Sequence, residues 1–321
     1  MKERKIRKIM AAHVGNLLEK KNVVAVGIGY KKIEGKPTSQ LSIVCSVKEK
    51  IEAEYLSAQD YIPETLDLAP TDVQQTGEIY AQQDPTLRHR PVPGGVSIGH
   101  IHITAGTNGC AVVKKGELYF LSNNHVLANS NNAKKGDAIL QPGPHDGGTS
   151  IGNKVAELSE FVPIIFEGSE PNGGCFFGRV LRKMKKAKEA PAVNYVDCAI
   201  AKPLAPDYVR ADIFHVGLVS GMKNAALGMT VCKSGRTTKY TKGVIEQVSA
   251  TVRVNFCGGR TALFYDQIIT SSISQGGDSG SLVLNLDNKA VGLLFAGSDS
   301  VTICNRIQHV FSLLSIDGFA K

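Results

Sequence analysis

From residue 91 onward, the sequence consists of short apolar runs that alternate with glycine, asparagine and aspartate turns. Runs of this kind are typical of β-strands, and their recurrence predicts an all-β barrel or sandwich. The strand candidates cover residues 109–113, 118–121, 138–140, 243–254, 261–269, 281–286 and 290–296. The 33 glycines and the lack of tryptophan favour a turn-rich, strand-rich chain over a helical bundle.

The first 80 or so residues have a different character and predict a small α+β domain. Apolar residues recur at helical spacing over residues 3–21, which predicts a helix. Residues 23–30 and 41–47 predict two strands of a hairpin, and residues 71–79 predict a further strand. Residues 80–90 are polar and aperiodic, so we interpret them as a linker, and residues 306–314 predict a C-terminal helix.

The composition of the 321 residues is that of a soluble globular protein, with 42% apolar and 21% charged residues. No apolar run approaches the ~20 residues that a membrane helix needs. The basic start of the chain lacks the apolar centre and the cleavage site of a secretion signal. The seven cysteines are odd in number and lack the paired spacing of a zinc site. We therefore expect a cytoplasmic protein with mostly buried thiols and without a metal or other cofactor.

The formal charge of +8 is concentrated in two basic runs, residues 1–21 and residues 179–188. Such runs could contact nucleic acid, an anionic membrane or an acidic protein. Neither run has the interleaved aromatic residues that stack on bases, and no nucleic-acid motif accompanies them. We interpret both runs as solvated helix faces and do not expect a nucleic-acid partner.

The segment with the clearest chemical meaning is Gly277-Asp278-Ser279-Gly280. A serine hydroxyl is a weak nucleophile, so acyl transfer needs a neighbouring base and amide donors aimed at the developing oxyanion. Gly277 allows the chain to turn so that its own N–H and that of Ser279 converge on one point. Gly280 leaves room for a substrate against the backbone. Ser279 is therefore the candidate nucleophile.

Two further residues complete a catalytic set. His125 ends the apolar run that begins at Tyr119, which predicts an imidazole exposed at a strand end. Asp197 is an isolated acid inside an apolar strand candidate, and a buried carboxylate is costly unless it is paired. A carboxylate facing a histidine N–H meets that requirement. The sequence predicts His125 as the general base and Asp197 as the residue that orients it.

The order His125, Asp197, Ser279, with Gly-Asp-Ser-Gly around the serine, resembles the trypsin-like serine peptidases of the chymotrypsin fold. Five sequence segments resemble those of the intracellular group related to the plant Narrow Leaf regulator, which has bacterial members. These segments are residues 91–100, 121–127, 140–144, 233–238 and 292–298. The resemblance implies a mostly β, chymotrypsin-like double β-barrel with a small α+β N-terminal domain and a C-terminal helix. It implies domains at 1–84, 85–212 and 213–321, with His125 and Asp197 in the first barrel and Ser279 in the second.

The same resemblance assigns the oxyanion hole to the amides of Gly277 and Ser279. It assigns the specificity pocket to Ile273, Ala296 and Gly297. Secreted relatives have a disulfide cysteine where Gln275 stands and a second one after the histidine, where this chain has valine. Because Ile273 replaces an acid at the pocket floor, we expect cleavage after a small or medium apolar residue rather than after Arg or Lys.

In the secreted relatives, the acid beside the serine pairs with an amine that processing sets free. Asp278 holds that position here, yet about 90 residues precede the matching segment. Either the chain is cut between residues 80 and 93, or Asp278 pairs internally, and we favour the internal pair.

The sequence thus predicts a serine endopeptidase that acts on a protein or peptide substrate through a Ser279 acyl-enzyme. The alternative is a latent or regulatory scaffold that binds a partner protein and is active only when activated. The N-terminal domain is a candidate for self-association into a homo-oligomer or for recruiting the substrate. His100 and His102 alternate on a strand candidate, which explains them without a metal.

Overall fold

The computed structural model describes residues 1–33, 35–79, 84–168 and 193–321. The chain divides into two units, Met1–Gln83 and Asp84–Lys321. The basic run at 179–188 lies outside the described residues, as does part of the region in which processing was considered. No helix within the described ranges is long and apolar enough to cross a membrane. The domain boundaries expected from the sequence stay predictions.

In its described residues, the N-terminal unit is one helix packed on a four-stranded sheet. The helix spans Glu3–Glu19, and a 3-10 turn spans Ala53–Tyr55. The strands are β1 (Val23–Ile33), β2 (Lys36–Val47), β3 (Thr65–Leu66) and β4 (Ala69–Gln75). They lie in the order β1-β2-β4-β3, with β1 and β2 antiparallel and β2 and β4 parallel. Ile6 and Leu17 of the helix are buried with Ile43, Cys45 and Ala69 of the sheet, so the helical spacing of apolar residues is what attaches the helix.

The described residues of the unit Asp84–Lys321 contain seventeen strands. They are β5 (Val92–Gly94), β6 (Ser97–His100), β7 (Gly106–Thr107), β8 (Cys110–Lys114), β9 (Glu117–Ser122), β10 (Ala138–Leu140), β11 (Lys154–Phe161), β12 (Ala199–Pro203), β13 (Val209–Ile213), β14 (Gly221–Met222), β15 (Thr230–Gly235), β16 (Lys239–Phe256), β17 (Arg260–Ser271), β18 (Leu282–Asn285), β19 (Lys289–Gly297), β20 (Val301–Arg306) and β21 (Gly318–Phe319). The helices and helical turns in the same described residues are Asn124–Leu127, Pro144–Asp146, Ser150–Asn153, Pro206–Tyr208 and Ile307–Leu314.

These strands form two large sheets. The first has the order β21-β8-β9-β12-β11-β10-β6-β7, and the pair β5 and β13 forms a separate parallel ribbon. The second has the order β14-β19-β18-β15-β16-β17-β20. Because β20 also pairs with β19, six strands of the second sheet close into an antiparallel barrel. Closure removes the exposed sheet edges that would otherwise pair with other chains.

Each sheet has its own apolar interior, and a third core cluster joins them. That shared cluster contains Val112 and Leu121 of the first sheet, Leu282 and Leu293 of the second, and Ile307 of the C-terminal helix. The sheets therefore pack against each other through side chains that are 0% exposed. The predicted fold class, mostly β with two barrel sheets, a small α+β N-terminal domain and a C-terminal helix, is confirmed.

Candidate active site

His125 and Asp197 meet because the strands beside them pair. Ser122 at the end of β9 is paired with Ala199 at the start of β12, in antiparallel register. The chain that leaves β9 therefore runs beside the chain that enters β12, which brings residues 125 and 197 together. In detail the structure differs from the prediction: His125 lies in the helical turn Asn124–Leu127, and Asp197 precedes its strand rather than lying within it.

The contact between His125 and Asp197 uses both carboxylate oxygens. His125 Nδ1 lies 2.6 Å from Asp197 Oδ2, and the backbone N–H of His125 donates to Oδ1 at 3.1 Å. Because an ionised carboxylate only accepts hydrogen bonds, Nδ1 carries the proton and Nε2 is left as the basic nitrogen. The Asp197 side chain is fully buried, whereas the imidazole is 23% exposed. This geometry suits a general base that faces solvent on one side only.

Three amide side chains hold this part of the chain, and sequence reasoning missed them. Asn123 donates to the Asp197 carbonyl at 2.8 Å, and the Asp197 N–H donates to Asn305 Oδ1 at 2.9 Å. Asn305 in turn donates to Gln267 Oε1 at 2.8 Å, and all three amides are buried. A buried polar side chain needs a partner, so asparagine or glutamine within an apolar strand was the signal that could have identified Asn305 and Gln267.

Ser279 lies in the loop before β18, close to the end of β9. Thr107 donates its N–H to the Ser279 carbonyl at 2.8 Å. A Cβ at Gly280, where φ is +97°, would collide with the Ser122 hydroxyl and the Thr107 carbonyl, so only glycine allows this approach. The loop that contains Ser279 is thereby packed against Ser122, three residues before His125.

The Ser279 hydroxyl donates to the Phe295 carbonyl over a long 3.4 Å. Within the described chain, no hydrogen bond joins it to His125. A series of aromatic rings connects the two regions. The Phe256 ring lies 6.1 Å from the imidazole and 6.1 Å from the Phe264 ring, which lies 4.7 Å from that of Phe295. Catalytic hydrogen bonds are often long or misaligned until substrate binds. In the structure the Ser279 hydroxyl is therefore directed at the Phe295 carbonyl rather than at the imidazole.

The amides of Gly277 and Ser279, assigned to the oxyanion hole, are available to a ligand. Neither N–H donates a hydrogen bond to any residue in the described ranges. Gly277 has a φ of +96°, a backbone conformation that glycine adopts without strain. Both residues are half-buried rather than enclosed. Two unpaired amides beside a candidate nucleophile are the donors that an oxyanion requires.

Asp278 pairs internally. Its side chain and that of Lys233 are both fully buried, with 3.4 Å between Lys233 Nζ and Asp278 Oδ2. The Asp278 carboxylate also accepts the N–H groups of Thr237 at 2.8 Å and Gln275 at 3.0 Å, and the Thr238 hydroxyl at 2.6 Å. Burial lowers the pKa of Lys233, and the charge of Asp278 opposes that shift. Of the two arrangements considered from the sequence, the structure contains the internal pair.

The three residues assigned to the specificity pocket line one cavity with the candidate nucleophile. Ile273, Ala296, Gly297 and Ser279 all border a space of about 590 Å³. The other lining residues are Thr238, Thr241, Ser272, Ser274, Gln275, Gly276, Leu294, Ser298 and Asp299. The cavity therefore has an apolar wall, several hydroxyl groups and one exposed carboxylate at Asp299.

Among the described residues, no cluster of three or more His, Cys, Asp or Glu side chains could hold a metal ion. His100 is buried against Asp137, with 3.1 Å between Nε2 and the carboxylate. The backbone N–H of His102 donates to the other His100 nitrogen at 3.1 Å. Both nitrogens of His100 are thus occupied by the protein itself.

Comparisons with known proteins give similarity of structure only. No family model matches the sequence, and no curated protein matches it. The chain is similar to Thermobifida fusca Protease A, with a TM-score of 0.48, 18% identity and coverage of 71% of this chain and 98% of that one. It is also similar to Cellulomonas bogoriensis chymotrypsin, with a TM-score of 0.46, 17% identity and coverage of 72% of this chain and 99% of that one. For Nocardiopsis protease the TM-score is 0.46 and the identity is 19%, with coverage of 71% of this chain and 98% of that one. The resemblance to the Narrow Leaf-related group stays a prediction.

Proposed function

We propose that this protein is a serine endopeptidase in which Ser279, His125 and Asp197 form the catalytic triad. The observation that carries the proposal is the 2.6 Å contact between His125 Nδ1 and the buried Asp197 carboxylate. An imidazole fixed in this tautomer has its other nitrogen free to accept a proton. The packing of the Ser279 loop against the end of β9 and the two unpaired amides support the same reaction.

In the proposed reaction, Ser279 Oγ attacks the carbonyl carbon of a peptide bond while His125 Nε2 takes the hydroxyl proton. The carbonyl oxygen becomes an oxyanion and accepts hydrogen bonds from the N–H groups of Gly277 and Ser279, each worth about 2.7–4 kcal/mol in the barrier. His125 then gives its proton to the leaving amine, and the acyl group stays on Ser279. A water molecule, deprotonated by His125, attacks the ester and restores the serine. Asp197 stabilises the positive imidazole throughout.

A fluorophosphonate probe tests this proposal, because it phosphonylates only an activated serine. We expect covalent labelling of the wild type and none of Ser279→Ala. The control is Ser300→Ala, which changes an exposed serine outside the cavity and should be labelled like the wild type. Labelling that persists in Ser279→Ala would exclude Ser279 as the nucleophile.

The substrate preference that we propose is a small or medium apolar residue (Leu, Val, Met or Ala) before the scissile bond. Ile273, which is 3% exposed, and Ala296 give the cavity an apolar wall, and a basic side chain would find no buried carboxylate among its lining residues. Digestion of a peptide library, with the cut sites read by mass spectrometry, should show apolar residues at this position. Dominant cleavage after Arg or Lys would contradict this preference.

The contact of the Ser279 hydroxyl with Phe295 is the observation that favours the second candidate, a latent scaffold that a partner activates. The same probe separates the two candidates, since a latent protein stays unlabelled until the partner is added. We also propose a cytoplasmic location, supported by the six described cysteines, all of which are free and five of which are buried.

A further inference from the structure

The peptide group between Gly276 and Gly277 carries one of the two proposed oxyanion donors, and its orientation decides where that donor points. This peptide is trans, so its C=O and N–H point in opposite directions. The Gly276 carbonyl accepts a hydrogen bond from the Thr237 hydroxyl at 2.7 Å. Holding the carbonyl towards Thr237 turns the Gly277 N–H away from Thr237.

The next peptide group is held in the same way. The Gly277 carbonyl accepts a hydrogen bond from the Thr107 hydroxyl at 2.9 Å, and the Asp278 N–H on the other side of that peptide donates to the Gln275 carbonyl at 3.0 Å. Thr107 belongs to the first sheet and Thr237 to the turn between β15 and β16. We call these two side chains the hydroxyl clamp, because they grip Gly277 from both of its peptide groups.

Arg236 fixes the direction of both hydrogen bonds. Its Nη1 lies 3.1 Å from the Thr237 hydroxyl, and its backbone N–H donates to the Thr107 hydroxyl at 3.0 Å. Arginine and backbone N–H groups only donate, so each hydroxyl accepts from Arg236 and has its proton left for a glycine carbonyl. The Arg236 guanidinium is itself held by Asp146, which lies in the helical turn Pro144–Asp146, with 2.7 Å between Nε and Oδ2 and a second bond from Nη2.

The two threonine hydrogen bonds matter because two consecutive glycines leave the peptide group between Gly276 and Gly277 unusually free to rotate. Glycine populates positive and negative φ about equally, so neither residue opposes a flip of the peptide between them. A flipped peptide would point the Gly276 carbonyl, rather than the Gly277 N–H, at the oxyanion. The Thr237 hydroxyl also lies only 2.5 Å from where a Cβ of residue 277 would be, which shows how closely it approaches this glycine.

We propose that Thr237 and Thr107 are positioning residues that keep the Gly277 N–H directed into the oxyanion hole. This inference rests on the proposed peptidase function and deepens it. Neither threonine touches the reacting atoms in this mechanism; each acts through a glycine peptide. The loss of either hydroxyl shifts the peptide towards orientations that lack one donor, so it lowers the rate of the chemical step rather than the binding of substrate.

The test compares Thr237→Val, which keeps the shape of the side chain and removes the hydroxyl, with Thr237→Ser, which keeps the hydroxyl. A net hydrogen-bond contribution of ordinary size predicts a kcat about fivefold to tenfold lower for Thr237→Val, with KM unchanged. Thr107→Val should behave in the same way, and Thr237→Ser should retain most of the wild-type kcat. The matched control is Thr251→Val, on an exposed strand position, which should leave both constants at the wild-type value. A wild-type kcat in Thr237→Val, or equal losses in the Ser and Val variants, would overturn the proposal.

Affinity for a peptidyl boronate supplies a second readout, because its adduct with the serine has an oxygen in the oxyanion position. Its affinity should fall in Thr237→Val by the same factor as kcat/KM. Crystal structures of Ser279→Ala with and without Thr237→Val separate failure of the clamp from failure of the peptidase function. A Gly276 carbonyl that rotates only when the hydroxyl is absent supports the clamp even if the wild type proves unreactive. An unmoved carbonyl overturns it.

Discussion

At the scale of single residues, the candidate site depends on one buried carboxylate. Asp197 is fully buried and receives two N–H groups of His125, so its charge is compensated only while the imidazole is in place. The pair therefore fixes both the ring orientation and the tautomer of His125. A neutral amide at position 197 could accept a hydrogen bond through its oxygen but could no longer stabilise a positive imidazole.

Asp197→Asn should therefore lower kcat by about 10⁴-fold while the protein stays folded. Steady-state hydrolysis of a peptide substrate measures the loss, and thermal unfolding monitors the fold. Asp207→Asn, at an exposed position, is the matched control and should hydrolyse the substrate like the wild type. If Asp197→Asn kept a kcat within tenfold of the wild type, the assignment of Asp197 to the triad would be wrong.

At the scale of secondary-structure elements, the sequence was most informative where hydrophobic alternation is strong. All seven strand candidates after residue 91 coincide with strands, and the predicted C-terminal helix is Ile307–Leu314. The pairing of β9 with β12, which joins His125 to Asp197, has no periodic signal in the sequence because it is set by the closing of the sheet. The short β21 was also missed, since two residues are too few to form a pattern.

The contacts that organise the site were harder to predict than the residues that would react. Lys233 is the buried partner of Asp278, and no pattern in the sequence indicates that pairing. Thr107 and Thr237 gave no signal, because a hydroxyl that binds a backbone carbonyl looks in the sequence like any turn residue. The types and order of residues indicated the candidate catalytic side chains. The residues that hold those side chains in place come from segments far apart in the chain.

At the scale of the whole molecule, the pairing of Lys233 with Asp278 bears on whether the proposed peptidase would need proteolytic activation. The Asp278 carboxylate already has a cationic partner and several N–H donors, so no newly formed chain terminus is needed to hold the nucleophile loop. A buried charge that loses its partner is strongly destabilising, by about 3–5 kcal/mol. The internal pair therefore removes the physical reason for proteolytic activation.

We accordingly expect the active protein to be the intact chain. Intact mass spectrometry of the fluorophosphonate-labelled protein should give the mass of the uncut chain, with or without Met1, plus that of one probe less HF, because the serine oxygen displaces fluoride. Lys233→Met tests the internal pair itself. This variant should not be labelled by the probe, because Asp278 is then buried without a cationic partner. A labelled species that begins between residues 80 and 93 would show that processing is required.

The pairing of β21 with β8 has a consequence for how the protein is made. Phe319 is in register with Val112, more than two hundred positions earlier, and the strand reaches β8 only after the six-stranded barrel and the helix that follows it. During synthesis, β8 can therefore pair with β21 only after the residues between these two strands have left the ribosome. Contacts between such distant segments slow folding. The first sheet is therefore completed last, although most of its strands are translated first, and the surroundings of His125 and Asp197 gain their last strand only after the second sheet has been synthesised.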